Sequence, residues 1–130
     1  MKYFISGHRD LTQEEFNEHY ISKLERILEL DKYAIFIIGD WEGCDTLVFE
    51  YLKNRLGMYQ SIGIYYVGKI RFINFNQSMY PHIVGYRWDS YDSCDSMMTY
   101  HSDFDVAWIR PGKEDSHTAM NIKRRYYGKV

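Results

Sequence analysis

Ala34-Ile35-Phe36-Ile37-Ile38-Gly39 is a continuous apolar stretch with charged residues before it and a glycine at its end. An unbroken apolar run of this length is typical of a strand that is buried on both faces of a parallel sheet, because a strand with one wet face alternates instead. The stretch Ile62–Val67 has the same character, and shorter runs lie at Tyr3–Ile5 and Asp105–Ile109. The sequence therefore predicts a mostly parallel sheet of four or five strands.

A helix is predicted between the first strand and the Ala34–Gly39 stretch. Thr12 and Glu15 match a capping box, in which the hydroxyl and the carboxylate each accept a backbone N–H at the start of the helix. From Phe16 onward, apolar residues recur at helical spacing. This pattern predicts one helix with a buried face that ends near Leu30.

A second helix is predicted after the Ala34–Gly39 strand. Apolar residues recur at helical spacing between Leu47 and Leu56. Lys53 and Arg55 then lie in the last turn, where cations favour the helix dipole, and Gly57 follows as the C-terminal glycine.

The second half of the chain is less regular. Residues 68–88 are rich in Gly, Asn and aromatic residues, and a short strand is predicted near Arg71–Phe75. A helix follows from about Asp92 to Tyr100. Ser116 or Thr118 caps a last helix, whose predicted apolar positions are Ala119, Ile122 and Tyr126. The alternation of strands and helices predicts an α/β fold, namely a small Rossmann-like domain of three layers.

The composition excludes several classes of protein. A chain of 130 residues suits a single domain, so residues 1–130 are predicted to form one unit. A net charge of −2 gives no broad cationic field for nucleic acid. The two cysteines and five histidines have no metal-ligand spacing, so neither a metal site nor a cofactor is predicted. Without an apolar leader or a membrane-length run, we expect a cytoplasmic protein that does not enter a membrane.

Three charged loops, each with glycine, follow predicted strands. Parallel strands end at the same edge of a sheet, and ligands of open α/β sheets bind beyond that edge. We therefore expect a binding site where these loops meet. The loops are Ser6–Asp10, Gly39–Asp45 and Arg110–Thr118.

The loops carry groups suited to an anionic ligand. Gly7, Gly43 and Gly112 allow a close approach of the backbone or a positive φ. The N-termini of the helices that follow two of the loops add partial positive charge. Charge-assisted bonds to phosphate are expected from Arg9, Arg110 and Lys113. The remaining predicted ligand contacts are His8, Pro111, Ser116, His117 and Thr118.

The second loop also carries candidate catalytic carboxylates. Asp40, Glu42 and Asp45 can accept hydrogen bonds from ribose hydroxyls, or transfer protons if burial raises the pKa of one of them. Trp41 can stack on a base, and it can equally cover the core.

Several of these residues have a purely structural alternative. Asp45 can serve only to cap the second helix, and Arg9 can pair with Asp10 at the surface. Gly7 and Gly112 can serve turn geometry alone.

The same loops resemble those of a known superfamily. Ile5–Thr12 and Gly39–Leu47 are similar to the "tGhR" and "GgA.G.D.la" loops of the SLOG superfamily, which includes the LOG phosphoribohydrolases and a DNA-processing protein of transformation. Ser102–Gly112, continuing into Ser116–Asn121, resembles the second glycine-rich signature of that superfamily. This late region is also similar to nucleoside deoxyribosyltransferases.

The resemblance implies a Rossmann-like domain, commonly dimeric, that binds a nucleotide or nucleotide-derived ligand at the carboxyl edge of its sheet. Gly7, Gly43 and Gly112 would line the phosphate or ribose site, and Thr118 would match the threonine at the helix start. The GTxxE segment of the LOG enzymes departs from this pattern here: the glycine is replaced by His117 and the glutamate by Asn121. An amide cannot act as an acid or a base in the normal pH range.

Three functional hypotheses follow. The first is a module that binds a nucleotide or an ADP-ribose-like molecule. The second is an N-glycosidase, phosphoribohydrolase or deoxyribosyltransferase in which Asp40, Glu42 or Asp45 replaces the missing glutamate. The third is a subunit that interacts with nucleic acid or with protein through Lys123–Arg125 and exposed tyrosines, although the charge balance disfavours nucleic acid. Thirteen tyrosines suit contact surfaces, so a homodimer is also predicted.

Overall fold

The computed structural model describes residues 1–71 and 80–127, apart from the side chain of Tyr127. The strands in these ranges are β1 (Lys2–Ser6), β2 (Ile35–Ile38), β3 (Ser61–Val67), β4 (Ile83–Trp88) and β5 (Phe104–Ala107). The helices are α1 (Gln13–His19), α2 (Ile21–Leu30), α3 (Cys44–Leu52), α4 (Tyr91–His101) and α5 (His117–Tyr127). Within the same ranges, no helix is both long and apolar enough to cross a membrane.

The strands form one sheet in the order β4-β3-β2-β1-β5, and every neighbouring pair is parallel. The chain steps outward from β1 to β4 and then returns to place β5 on the other side of β1. Strand order thus reverses at β1, which is where open α/β sheets have a crevice at their carboxyl edge. The predicted α/β class and the parallel sheet are confirmed.

The sheet is covered by helices on both faces. Ile5, Phe36 and Ile38 belong to the larger apolar cluster, which also holds buried residues of α1, α2 and α3. Phe4 and Ile37 point the other way and pack with buried residues of α4. Adjacent residues of one strand therefore enter different apolar clusters, which explains why β2 reads as an unbroken apolar run. The three-layer prediction is confirmed.

The first predicted helix is broken in two. α1 starts at the expected capping box, in which Thr12 and Glu15 exchange backbone and side-chain hydrogen bonds. At Tyr20 the backbone leaves the helical region, with φ −120° and ψ −41°, and α2 begins at the next residue. The prediction of one continuous helix to Leu30 is therefore wrong. Periodicity continues across the break because both helices bury the same face.

The buried hydroxyl of Tyr20 joins two strand ends. It donates to the carbonyl oxygen of Ser6 at 2.7 Å and accepts the backbone N–H of Trp108 at 3.0 Å. Ser6 ends β1, and Trp108 directly follows β5. The break between the helices thus coincides with a tertiary contact that ties β1 to β5.

Two other helix predictions are corrected. The second predicted helix corresponds to α3. It ends at Leu52, so Lys53 and Arg55 lie beyond it and Gly57 does not cap it. The N–H of Arg55 instead closes a turn on the carbonyl oxygen of Leu52 at 2.9 Å. In α5, Tyr126 is 76% exposed and is not part of the buried face.

The sequence analysis missed β4. Ile83 is its one buried residue, and side chains such as Val84, Tyr86 and Arg87 are exposed, because β4 is the edge strand of the sheet. Gly85 and Arg87 further hide the strand pattern. The short strand predicted near Arg71–Phe75 falls on residues 72–75, which lie outside the described residues.

We expect Tyr20→Phe to lower the free energy of unfolding by about 2 kcal/mol, because two buried backbone groups lose a partner. Tyr51→Phe is the matched control: its hydroxyl bonds Glu25 at the surface, where water can replace it, so the loss should stay below about 0.5 kcal/mol. Urea unfolding of both variants checks this. Equal losses would contradict the role given to Tyr20.

Candidate functional site

His8 connects the three loops that follow β1, β2 and β5. Its carbonyl oxygen accepts the backbone N–H of Leu11 and that of Cys44, both at 3.1 Å. Its ring atom Nε2 accepts the backbone N–H of Arg110 at 2.8 Å. Cys44 is the first residue of α3, and Arg110 lies in the loop after β5. The loops predicted to converge therefore meet at one buried residue.

The ring of His8 has to be neutral to accept the bond from Arg110, since both nitrogens of a charged imidazole donate. Burial lowers the pKa of His8, and the positive charge of Arg110 lowers it further. With Nε2 as the acceptor, the proton of the neutral ring lies on Nδ1.

Gly43 is required by close packing of the second loop on the first. It is the N-cap residue of α3 and has φ +78°, a region that favours glycine. A Cβ atom at this position would overlap the backbone oxygens of His8 and Arg9. Gly7 is similarly constrained, because its Cβ would lie 2.5 Å from the Tyr20 hydroxyl and 2.6 Å from Cys44 Sγ. The lack of a side chain thus lets Gly43 pack against the first loop and lets Gly7 pack against Tyr20 and Cys44.

A cavity of about 360 Å³ opens beside this junction, at the carboxyl edge of the sheet. It lies between the loops after β1, β2 and β5 and the helix α4. Most predicted site residues line it, namely Gly7, His8, Arg9, Glu42, Asp45, Lys113, Ser116, His117 and Thr118.

The other predicted site residues do not line the cavity, and these are Asp40, Gly43, Arg110, Pro111 and Gly112. Gly112 has φ +88° and open space around it, so it shapes the turn before α5.

Two of these outlying residues are held in ion pairs. Asp40 is 2% exposed and accepts three hydrogen bonds from Arg71. Arg110 binds both carboxylate oxygens of Asp10 at 3.1 and 3.2 Å, and both of Glu15 at 2.7 and 2.9 Å. The Arg110 bonds, with the backbone N–H of Thr12, lower the pKa of Glu15 to about 2. Arg110 thus stabilises the loop junction, and Asp10 pairs with it rather than with Arg9.

Among the carboxylates of the cavity, Asp45 is the one whose pKa departs furthest from its ordinary value. It lies in the first turn of α3, and its Oδ2 accepts the backbone N–H of Trp41 at 3.1 Å rather than capping the helix. Burial raises the pKa of Asp45 to about 7, against the lowering effect of the Trp41 bond, and the charges of Asp40 and Asp95 add to the rise. Near neutral pH, the protonated and the ionised forms of Asp45 are therefore both populated.

Asp95, on α4, is a second cavity carboxylate, and the sequence analysis missed it. Burial raises its pKa, while the nearby positive groups of Arg124, His117 and Arg9 oppose the rise. A helix that follows a strand begins at the carboxyl edge, so the first turns of α4 belong to the site. Because β4 was not recognised, that signal could not be used.

The N-terminus of α5 forms one wall. Ser116 is its cap, since its Oγ accepts the N–H of Ala119 at 3.2 Å, which settles the choice between Ser116 and Thr118. Thr118 is buried and lines the cavity. Asn121, which the sequence analysis named only as the replacement for the LOG glutamate, also lines the cavity. Its Oδ1 accepts from Arg124 at 2.7 Å, so its amide nitrogen is the group that can donate to a ligand.

Ser6 adds a hydroxyl without a partner. It ends β1, is 5% exposed and lines the cavity on the same side of the strand as Phe4. Its Oγ has no hydrogen-bond partner among the described residues. Buried hydroxyls are nearly always paired, so this atom is a candidate contact for a ligand.

Comparisons with protein-family models, with curated proteins and with solved structures found no match. In the two described ranges, no group of three His, Cys, Asp or Glu side chains is arranged to hold a metal ion.

Replacing His8 tests the junction. His8→Phe should lower the free energy of unfolding by about 2 kcal/mol, because the buried N–H of Arg110 loses its acceptor. In His8→Gln the amide oxygen can take the place of Nε2, so most of the loss should be recovered. Thermal and urea unfolding measure both variants, and equal stability of the Phe variant and the native chain would contradict the junction.

Proposed function

We propose that the cavity binds a nucleotide or a nucleotide-derived molecule such as ADP-ribose. The observation that carries the proposal is that one cavity combines groups for an anion with groups for sugar hydroxyls. Its volume of about 360 Å³ falls in the range of small-molecule sites, roughly 300–1,000 Å³.

The groups for an anion come from the start of α5 and the first loop. The capping bond of Ser116 satisfies the N–H of Ala119, and the N–H groups of His117 and Thr118 lie in the same first turn. Lys113 lies beside them in the cavity wall, and Arg9 faces it from the loop after β1. Backbone N–H groups at a helix start, with nearby cations, form a common phosphate site.

The groups for hydroxyls are the carboxylates Asp45 and Asp95 and the Oγ of Ser6, which has no hydrogen-bond partner among the described residues. A carboxylate accepts two hydrogen bonds from vicinal hydroxyls such as those of ribose. Asp10, Glu42 and Asp115 add further negative charge to the wall. A triphosphate would be repelled by so many carboxylates, so we favour a ligand with one or two phosphates.

Trp41 is not available for base stacking, since guanidinium groups of Arg9 and Arg71 lie 3.6 and 3.5 Å from the centroid of its ring. We therefore place the base against Phe4 and Met98, the apolar side chains of the cavity. The resemblance to the SLOG superfamily supports the proposal, and the replacement of its glutamate by Asn121 favours binding over hydrolysis.

A panel of nucleoside mono- and diphosphates and ADP-ribose tests the binding proposal. At least one member should raise the melting temperature in a saturable way and give a measurable Kd by calorimetry. Lys113→Ala should weaken that ligand about fivefold, the loss of one charge-assisted bond. Lys32→Ala, in the turn before β2 at the opposite edge of the sheet, is the matched control. Unchanged melting across the whole panel would contradict the proposal.

A second candidate function is cleavage or transfer of an N-glycosidic bond, and the position of Asp45 favours it. A carboxyl group that is half protonated near pH 7 suits a general acid, which would protonate a leaving base. Among the three predicted catalytic carboxylates, Asp40 is held by Arg71, and Glu42 is exposed at the cavity wall. Asp45 is therefore the proposed acid.

Release of free base from nucleosides and nucleoside monophosphates tests this candidate. Base release should fall as the pH rises through about 7, because the acid form of Asp45 is lost. Asp45→Asn should reduce it at least about 100-fold.

Stability provides the control for this variant. The folded pKa of Asp45 lies above the ordinary value of 3.8, so the native chain loses stability between about pH 4 and pH 7, where Asp45 is ionised in the unfolded chain but still protonated in the folded one. Asp45→Asn removes that loss and should be at least as stable as the native chain at pH 8. An active Asn variant would exclude Asp45 as the acid.

A further inference from the structure

Trp41 lies between two guanidinium groups. The Cζ atom of Arg9 is 3.6 Å from the centroid of its ring, and the Cζ atom of Arg71 is 3.5 Å from it. Two groups at this height must take opposite faces, since on one face their atoms would overlap. Trp41 and Arg9 line the cavity, whereas Arg71 does not. The indole therefore separates a cation in the cavity wall from a cation behind it.

The two cations differ in their partners. Arg71 donates from Nε and Nη2 to the Asp40 carboxylate at 3.3 and 2.9 Å, and its backbone N–H donates to the same group at 3.0 Å. Asp40 is buried, so this pair is held in a fixed geometry. In residues 1–71 and 80–127, no carboxylate oxygen lies within 4.0 Å of the Arg9 guanidinium. Asp40 neutralises the charge of Arg71, whereas Arg9 has no ion-pair partner among the described residues and acts on the nearby Asp95 only through its charge.

Stacking on Trp41 also fixes the direction in which Arg9 can bind. A guanidinium that lies flat on an aromatic ring keeps its N–H donors in its own plane, where two of them can meet two oxygens of one anion. The ring of Tyr91 lies 5.4 Å from that of Trp41 and 5.3 Å from the Arg71 Cζ, which supports the stack from the side.

From this geometry we infer that Arg71 is a positioning residue: anchored by Asp40, it holds Trp41 from behind, and the stack on Trp41 directs the in-plane N–H donors of Arg9 toward the anionic group of a ligand in the cavity. For the nature of that ligand the inference rests on the proposed function. For the order of Arg9 it rests on the ligand-free chain alone.

The first test uses the ligand-free chain. In ¹⁵N NMR spectra the Arg9 Nε–H signal, assigned by its absence in Arg9→Lys, should be shifted upfield by the indole ring and should show the relaxation of an ordered group. In Arg71→Ala the signal should lose both properties. Arg55→Ala is the matched control, since Arg55 stacks on Tyr51 at 4.0 Å and does not line the cavity. An Arg9 signal that is identical in the native chain and in Arg71→Ala would overturn the inference.

A second variant guards against misfolding, because Arg71→Ala leaves the buried Asp40 carboxylate without its partner. The double variant Asp40→Asn with Arg71→Met removes both charges together, and it should show the same loss of order at Arg9 with a melting temperature close to that of the native chain. Retention of the Arg9 signal in a folded double variant would equally overturn the inference.

The second test measures affinity by calorimetry for AMP, GMP, CMP and UMP and for the four nucleosides. Arg9→Ala and Arg71→Ala should each weaken the bound monophosphate about tenfold, and together no more than Arg9→Ala alone. Nucleosides, which lack the anion, should bind these variants as they bind the native chain. Additive losses, or equal losses for a nucleoside, would contradict positioning through Arg9. If the native chain binds none of the eight compounds, the proposed function fails for these ligands, and the NMR comparison still decides the role of Arg71.

Discussion

The candidate site depends on the neutral imidazole of His8 and on the peptide group of the same residue. One residue accepts hydrogen bonds from the start of α3 and from the loop after β5, so the ends of β1, β2 and β5 cannot move independently. The Tyr20 hydroxyl reinforces the junction, because it bridges the carbonyl oxygen of Ser6 and the backbone N–H of Trp108. These bonds are buried and therefore costly to leave unmade. The junction therefore holds in place the loops that form the cavity walls.

The charges around the cavity are separated by function. Cations that support the fold are paired: Arg110 with Asp10 and Glu15, and Arg71 with Asp40. Arg9 and Lys113 line the cavity without such pairing among the described residues. Two carboxyl groups in the same space resist ionisation because they are partly withdrawn from water. The proposed ligand, which carries both an anion and several hydroxyls, matches this arrangement of charges, and Asp45 is the acid of the second proposed function.

Much of the fold and of the site could be predicted from the sequence, because buried parallel strands such as Ile35–Ile38 leave a local pattern and the loops after them share one edge. Tertiary contacts leave no such pattern. The helix breaks at Tyr20, whose hydroxyl bonds the distant backbone groups of Ser6 and Trp108. Most side chains of β4 are not buried, because β4 lies at the edge of the sheet. Once β4 is missed, the start of α4 cannot be assigned to the carboxyl edge, and Asp95 is lost with it. Asp40 and Arg110 carry the right charge for a site, but their partners show only in three dimensions.

The junction beside the cavity is built from peptide groups, glycines and the side chains of His8 and Tyr20, whereas part of the cavity lining consists of exposed side chains. Gly7, Gly43 and the carbonyl of His8 fix the loops, while Glu42, Lys113 and Asp115 project from them at the surface. Exchange of the projecting residues would leave the architecture intact. Under the proposed function, a few substitutions in this lining would therefore suffice to change which small molecule the fold binds.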